Sequence, residues 1–377
     1  MTTVTPTEGT DQAQAGGDAL LLITGGVDTH AETHTAAALD GTGRSLGHRT
    51  FPATAAGYAA LLGWLHGLGM VVAVGVEGTG AYGAGLAAHL ARAGVEVVEV
   101  NRPDRAARRA VGKSDPTDAE AAARAVQAGV RTATPKDRTG ERGARLEALR
   151  VLRVARRGAV TARALALTQL RTVLVTAPAV LREHLDGLGT RALLATCAGL
   201  RPDVTAAAAG DPVQATKVTL RALARRHATA AGEVDGLDDL IEPLVAALAP
   251  RLLAAKGVGP DVAGQLLVTA GANTDRITSE AAFAMLCGVA PLPASSGKTR
   301  RHRLNRGGDR QANSALYTVV LCRMRHDERT KAYVARRTTE GLSKKEIIRC
   351  LKRTVARELY YLLQHPHAPA DDHALAA

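Results

Sequence analysis

The sequence contains few aromatic residues and few cysteines. Only 2% of its 377 residues are Phe, Trp or Tyr, so small aliphatic side chains must form most of the core, which suits closely approaching helices. The four cysteines include no CxxC pair, which argues against a structural zinc site and a disulfide framework. No run of about 18 apolar residues occurs, so no membrane span is predicted.

Acidic residues are outnumbered by basic ones. The chain has 48 Lys and Arg against 36 Asp and Glu, a net charge of +12. A soluble protein this basic usually meets a polyanion, and a membrane surface is the other candidate. Polar, biased composition predicts disordered tails at residues 1–18 and 366–377.

The hydrophobic pattern of residues 19–135 changes from the period of strands to an alternation of helix and strand periods. The first part predicts three strands that pair as an antiparallel meander, at 20–28, 35–40 and 46–52. Strands then alternate with helices, the strands at 70–77 and 95–100 and the helices at 54–68, 80–94 and 115–129. This order predicts an α/β domain with a ribonuclease H-like (RuvC-like) fold. Right-handed crossovers would place the strand ending at Glu77 beside the first strand.

The rest of the chain predicts helices. Residues 136–249 form a helical spacer, in which long helices at 138–175 and 214–249 suggest an antiparallel pair or a coiled coil. Residues 250–365 form a mostly helical C-terminal domain. Its start has the shape of a helix–hairpin–helix, and the GVGP turn at 257–260 either binds phosphate through backbone amides or simply joins two helices.

Four acidic residues fall where this fold would bring them together. Asp28 and Glu77 each end a strand, and Asp115 and Asp118 share one face at the start of a helix. Two-metal phosphoryl chemistry needs oxygen ligands that converge on ions about 3.5–4 Å apart. Each acid alone could be a helix cap or a dipole partner, but their joint placement predicts a Mg²⁺ site, with Mn²⁺ as the second choice.

Two other ligand patterns are weaker. His30 and His34 have a metal-ligand spacing for a helix, but the residues between them do not look helical. The glycines of residues 78–85 resemble a dinucleotide fingerprint, but Glu77 precedes them and no acid stands at the ribose position.

A basic stretch at residues 288–317 suits a nucleic-acid backbone, and a solvated basic surface is its alternative. Its candidate contacts are Lys298, Arg300, Arg301, Arg303, Arg306 and Arg310. The amphipathic helix at 343–359 offers further cations for the same two interpretations. These are Lys344, Lys345, Arg349, Lys352 and Arg353.

Three motifs carry a family resemblance. VDTH at 27–30, VEGTGAYG at 76–83 and KSDPTDAEAAARA at 113–125 resemble the DEDD transposases of bacterial insertion sequences, the IS110 family. The resemblance covers about residues 20–365. It implies a bacterial, cytoplasmic and nucleoid-associated DNA recombinase that cleaves and exchanges strands with Mg²⁺ held by the four acids.

The resemblance also implies features that the residues alone do not indicate. The nucleophile of the family is a serine just before a glycine, and its counterpart is Ser296, with Ser295 beside it and the choice resting on alignment with Pro291. A covalent phosphoserine link to DNA would follow. Further implications are a structured guide RNA that pairs with donor and target double-stranded DNA, and a dimer or tetramer in which Ser296 of one subunit meets the acidic site of another.

Two other functions stay open. A RuvC-like junction-resolving nuclease would use the same acids for hydrolysis alone and would not need Ser296. A non-catalytic nucleic-acid-binding protein with a decayed nuclease domain belongs to a different class. Retention of the four acids and of Ser296 argues against decay.

Overall fold

A computed structural model of the chain describes residues 21–100, 114–130, 132–297, 302–303 and 305–367. The chain divides into two compact units, Met1–Lys136 and Asp137–Ala377. The predicted tail at 1–18 and all but two residues of the tail at 366–377 lie outside the described residues. Within the described ranges, none of the helices has both the length and the apolar character needed to cross a bilayer.

The first unit contains a six-stranded mixed sheet with the strand order β3-β2-β1-β4-β5-β6. Its strands are β1 (Leu22–Thr29), β2 (Thr33–Leu39), β3 (Ser45–Pro52), β4 (Met70–Glu77), β5 (Glu96–Val100) and β6 (Thr132–Ala133). β1, β2 and β3 pair as an antiparallel meander, while β4 lies parallel to β1 and β5 parallel to β4. The predicted meander and the predicted β1–β4 adjacency are therefore confirmed, and the arrangement fits a ribonuclease H-like domain.

Helices cover both faces of this sheet. They are α1 (Ala55–His66), α2 (Ala84–Arg92) and α3 (Asp115–Ala128). Leucines of α1 and α2, such as Leu61 and Leu86, share a buried core with Val27 of β1 and Val76 of β4. Since side chains alternate along a strand, the neighbours of these valines face α3 on the other side.

Two glycines let α3 approach the sheet closely. A Cβ atom added to Gly26 would lie 2.2 Å from both the Ala119 carbonyl oxygen and the Ala123 amide nitrogen. One added to Gly75 would lie 2.6 Å from a methyl group of Val126. Only glycine leaves room for backbone and small side chains at this distance, which explains the alanine-rich sequence of α3.

The second unit is mostly helical. Its helices are α4 (Gly140–Val175), α5 (Ala179–Leu185), α6 (Thr190–Gly199), α7 (Val204–Ala208), α8 (Pro212–Leu248), α9 (Pro250–Ala254), α10 (Pro260–Ala270), α11 (Glu280–Leu286), α12 (Arg310–His326), α13 (Glu328–Thr339) and α14 (Lys344–Gln364). A short 3-10 helix (Thr274–Arg276) and a two-stranded hairpin of β7 (Leu292–Pro293) and β8 (His302–Arg303) complete the unit.

The two long helices α4 and α8 form the predicted antiparallel pair. Leu149 near the start of α4 shares a core with Ile241 near the end of α8, whereas Leu170 shares another with Leu220 near the start of α8. The first of these cores continues into α10, α12 and α14. A coiled-coil spacer and the predicted domain boundaries within this unit stay predictions.

The close packing of α3 against Gly26 can be tested by adding one methyl group at this position. Gly26→Ala should lower the free energy of unfolding by roughly 1–3 kcal/mol or more, because the new methyl overlaps the α3 backbone. Gly63→Ala is the matched control: Gly63 is exposed inside α1 and nothing lies within 4 Å of its added Cβ. It should raise stability by up to about 1 kcal/mol. Denaturant titration followed by circular dichroism measures both, and equal stabilities would contradict the described packing.

Candidate functional site

The ends of β1 and β4 place two acids side by side. Val27 and Val76 are partners in the parallel register, so Asp28 and Glu77 follow that pair on the same face of the sheet. The Thr29 hydroxyl donates a hydrogen bond of 2.8 Å to the Glu77 carbonyl oxygen, which ties the two strand ends together. Asp28 is only 7% exposed, while Glu77 is half-buried.

The first turn of α3 adds the other two acids. Ser114 caps this helix by accepting a hydrogen bond from the Thr117 amide, so Asp115 and Asp118 both fall in the first turn. Their negative charge is favourable at this end of the helix dipole. Because Gly26 and Gly75 seat α3 on the Asp28 and Glu77 face, all four acids belong to one face and one edge of the sheet.

The tightest part of this site contains a histidine. His30 Nε2 lies 3.2 Å from an Asp28 carboxylate oxygen and 3.5 Å from an Asp115 carboxylate oxygen. One ligand atom from each of the three residues falls within 4.8 Å of the others. Asp28 is buried whereas His30 is exposed, so the cluster is open to solvent on one side.

Glu77 and Asp118 border this cluster without joining its compact set of ligand atoms, as far as the described residues show. Asp118 is 6% exposed and packs within the α3 interface, and Glu77 stands on the neighbouring strand. The structure therefore brings Asp28 and Asp115 together with His30. Glu77 ends the strand beside β1, and Asp118 lies in the first turn of the same helix as Asp115.

His30 and His34 do not form the paired ligand site considered from their spacing. A turn separates them, in which the His30 amide donates to the Thr33 carbonyl oxygen. His34 is fully buried in β2 and stacks on Tyr58 at 5.5 Å, and desolvation lowers the pKa of its imidazole. His30 instead joins Asp28, a pairing that its position two residues after Asp28 could have indicated.

The predicted serine candidates lie in the second unit. Ser295 and Ser296 are exposed and follow β7 directly. Gly297 adopts a φ of 53°, a left-handed conformation that favours glycine and turns the chain after Ser296. Both hydroxyl groups therefore stand on the hairpin that carries the basic stretch.

Three of the six predicted nucleic-acid contacts lie outside the described residues, namely Lys298, Arg300 and Arg301. The other three, Arg303, Arg306 and Arg310, are exposed. A buried polar contact holds this segment in place, because the Thr269 hydroxyl donates to a carboxylate oxygen of Asp309 at 2.6 Å. The other Asp309 oxygen caps α12, where Arg310 is the first residue.

Comparison with known proteins shows which family combines these features. A family profile for the DEDD domain of IS110, described as Transposase, matches residues 25–177, and one described as Transposase IS116/IS110/IS902 family matches residues 249–335. An insertion element IS110 uncharacterized 43.6 kDa protein from Streptomyces coelicolor is 31% identical over 118 residues, which are 31% of this chain and 29% of that relative. Together the two profiles cover more than half of the chain, which belongs to the IS110 family of transposases.

A divalent metal is implied by this family, and the site chemistry fits one. Carboxylate oxygens of Asp28 and Asp115 are hard donors that suit Mg²⁺ or Mn²⁺, and the imidazole of His30 adds a nitrogen that Mn²⁺ accepts more readily.

The GVGP turn of the second unit connects α9 to α10, and Gly259 is the N-cap residue of α10. Phosphate binding by this turn stays a prediction.

Proposed function

We propose that the chain catalyses divalent-metal-dependent cleavage and exchange of DNA strands during movement of an insertion sequence. The observation that carries this proposal is the meeting of Asp28 and Asp115, from two separate elements, at the edge that also carries Glu77 and Asp118. Like charges at such separations are unfavourable without a cation between them. The family profiles support the same class of reaction.

The proposed metal ligands are Asp28, Glu77, Asp115 and Asp118. A bound Mg²⁺ would supply charge stabilisation to the phosphoryl group during transfer. Asp28 is buried at the end of β1 and Asp115 lies in the capped first turn of α3, so the backbone that carries each acid is fixed before DNA arrives. Such preorganisation is what electrostatic catalysis requires.

Ser296 is the proposed nucleophile. Its hydroxyl oxygen would lose its proton and form a bond to the scissile phosphorus while the phosphodiester bond to the departing strand breaks, and the departing oxygen would take up a proton. The resulting phosphoserine ester keeps the energy of the broken bond for rejoining, which hydrolysis would lose. Arg303 of β8 and Arg306 just after the hairpin are exposed and would offset phosphate charge.

The junction-resolving nuclease remains the main rival because it shares the acids. It differs in one chemical respect: direct attack by water leaves no covalent protein–DNA intermediate. A non-catalytic binding protein would leave neither the intermediate nor a cut strand. Trapping the intermediate therefore identifies the recombinase, and a cut strand without an intermediate distinguishes the nuclease from the binding protein.

Ser296→Ala should abolish the covalent adduct seen on denaturing gels after incubation with element-end DNA and Mg²⁺, whereas Ser295→Ala should keep it. The two serines are adjacent, exposed and alike in chemistry, so each variant controls for the other. Asp28→Ala should also lose the adduct while retaining DNA binding. An adduct that survives both serine changes would remove serine from the mechanism.

A structured RNA is the proposed second partner, with double-stranded donor and target DNA as substrates and an oligomer as the active form. The net charge of +12 suits large polyanions, and family membership favours an element-encoded guide. Protein purified from its native host should carry one discrete RNA, identified by sequencing, and binding should weaken steeply with salt. Target choice that is unchanged after removal of the RNA would contradict the guide proposal.

A further inference from the structure

The second unit contains a cavity of about 600 Å³ beside the hairpin that carries Ser296. Its walls come from the segment before and within β7–β8, from Arg337 of α13 and from the first half of α14. This volume lies in the range of roughly 300–1,000 Å³ that small-molecule sites occupy. It is large enough for one nucleotide and too small for a duplex.

The lining of this cavity is strongly basic. Arg303, Arg337, Arg349, Lys352 and Arg353 face one carboxylate, Glu346, among the described lining residues. That carboxylate is engaged in the cap of α14, where it accepts hydrogen bonds from the Ser343 amide at 3.0 Å and the Ser343 hydroxyl at 2.6 Å. The five cations therefore outnumber the carboxylate among the described lining residues.

The cations of the cavity wall differ in the hydrogen bonds and ion pairs that they already form. Arg353 donates to Glu280 at 2.9 Å and is paired, and Lys352 is buried and donates only to the neutral Asn313 amide oxygen at 2.8 Å. Within the described parts of the chain, Arg303 and Arg349 form no ion pair. Burial and the neighbouring Arg349 lower the pKa of Lys352, as expected where positive charges gather without a counterion.

Arg337 is a cation of the cavity wall that is held by neighbouring side chains. Its guanidinium carbon lies 6.0 Å from the centre of the Tyr333 ring, and one terminal nitrogen is bound by Glu340. Its Nε atom is buried and has no hydrogen-bond partner among the described residues. The contacts with Tyr333 and Glu340 hold the guanidinium group of Arg337 at the wall of the cavity.

The remaining wall is apolar and supplies the other half of a nucleotide site. Val289, Pro291 and Leu342 line the cavity together with the cations. Guanidinium groups match the oxygens of a phosphate in geometry and charge, and an apolar wall accepts a base or sugar face. The combination is that of a pocket for one unit of an unpaired strand.

We propose that this cavity binds one nucleotide of single-stranded nucleic acid, with Arg303, Arg337 and Arg349 contacting its phosphodiester. The proposal rests on the proposed function, since it gives the hairpin of Ser296 a strand to act on. Pro291 and Arg303 of the cavity wall belong to the same β7–β8 segment as Ser296, so a strand held here would contact the hairpin that carries the serine. The same phosphodiester chemistry occurs in DNA and RNA.

The test measures binding without strand cleavage. Fluorescence anisotropy with labelled single-stranded DNA and RNA of equal sequence, in excess chelator, follows affinity across a salt series. Arg349→Gln, at an exposed position, and Arg337→Gln should each weaken binding about five- to tenfold, and Arg349→Gln should reduce the salt slope by about 0.7. Arg182→Gln removes the same charge from an exposed position of α5 and should stay within about twofold of the unaltered protein.

The two labelled probes show which nucleic acid the cavity binds. It is the strand, DNA or RNA, whose affinity falls in the arginine variants. Arg349→Gln and Arg337→Gln variants that bind both strands as Arg182→Gln does would overturn the cavity proposal. If the unaltered protein bound neither strand, the cavity proposal would fail, whereas the proposed function, whose substrate is double-stranded DNA, would still be decided by the covalent adduct at Ser296. A covalent adduct at Ser296 combined with unchanged binding in the arginine variants would reject the cavity and keep the proposed function.

Discussion

The close seating of α3 on the sheet is the contact on which the candidate site depends. Gly26 and Gly75 have no side chains that would hold this helix away from the sheet. On the helix side, Ala119 and Ala123 pack closely against Gly26. At the other end of α3, the Gln127 amide donates to the Thr24 hydroxyl at 3.2 Å and the Asp40 carbonyl oxygen at 2.8 Å. Both ends of the helix are thereby fixed, and its first turn meets the end of β1.

This geometry imposes an electrostatic cost that the fold offsets only in part. The dipole of α3 favours negative charge at its N-terminus, and the His30 imidazole stands between Asp28 and Asp115. Neither effect equals a divalent cation in charge. Four carboxylates on one edge therefore make sense as a binding site, since a fold selected for stability alone would gain from replacing some of them.

Local patterns predicted the first unit well because its elements have distinct periods. The β-branched run ending at Glu77 and the helical pattern starting at Asp115 each predicted their element within about two residues, and the acids at their ends followed from strand and helix geometry. β6 has only two residues, too few for any periodic signal. The helices α5, α6 and α7 are short and did not emerge from the segment between the long helices.

The parts of the sites that escaped prediction are formed by long-range contacts. His30 was considered with His34 because spacing along the chain was the only available guide, whereas the structure pairs it with Asp115 across 85 positions of the sequence. The basic face of α14 was predicted as one surface. In the structure Arg349 and Arg353 both border the cavity, but they differ because Arg353 is bound to Glu280 of α11.

The central claim is that the ends of β1 and β4 and the start of α3 share one divalent cation. Replacing that cation with Fe²⁺ and adding ascorbate and peroxide generates hydroxyl radicals that cut the nearby backbone. Fragments of the 39.1 kDa chain should map cuts close to Asp28, Glu77 and Asp115, and Mg²⁺ or an Asp28→Asn change should suppress them together. Cuts at other places, or cuts that persist in Asp28→Asn, would contradict the account.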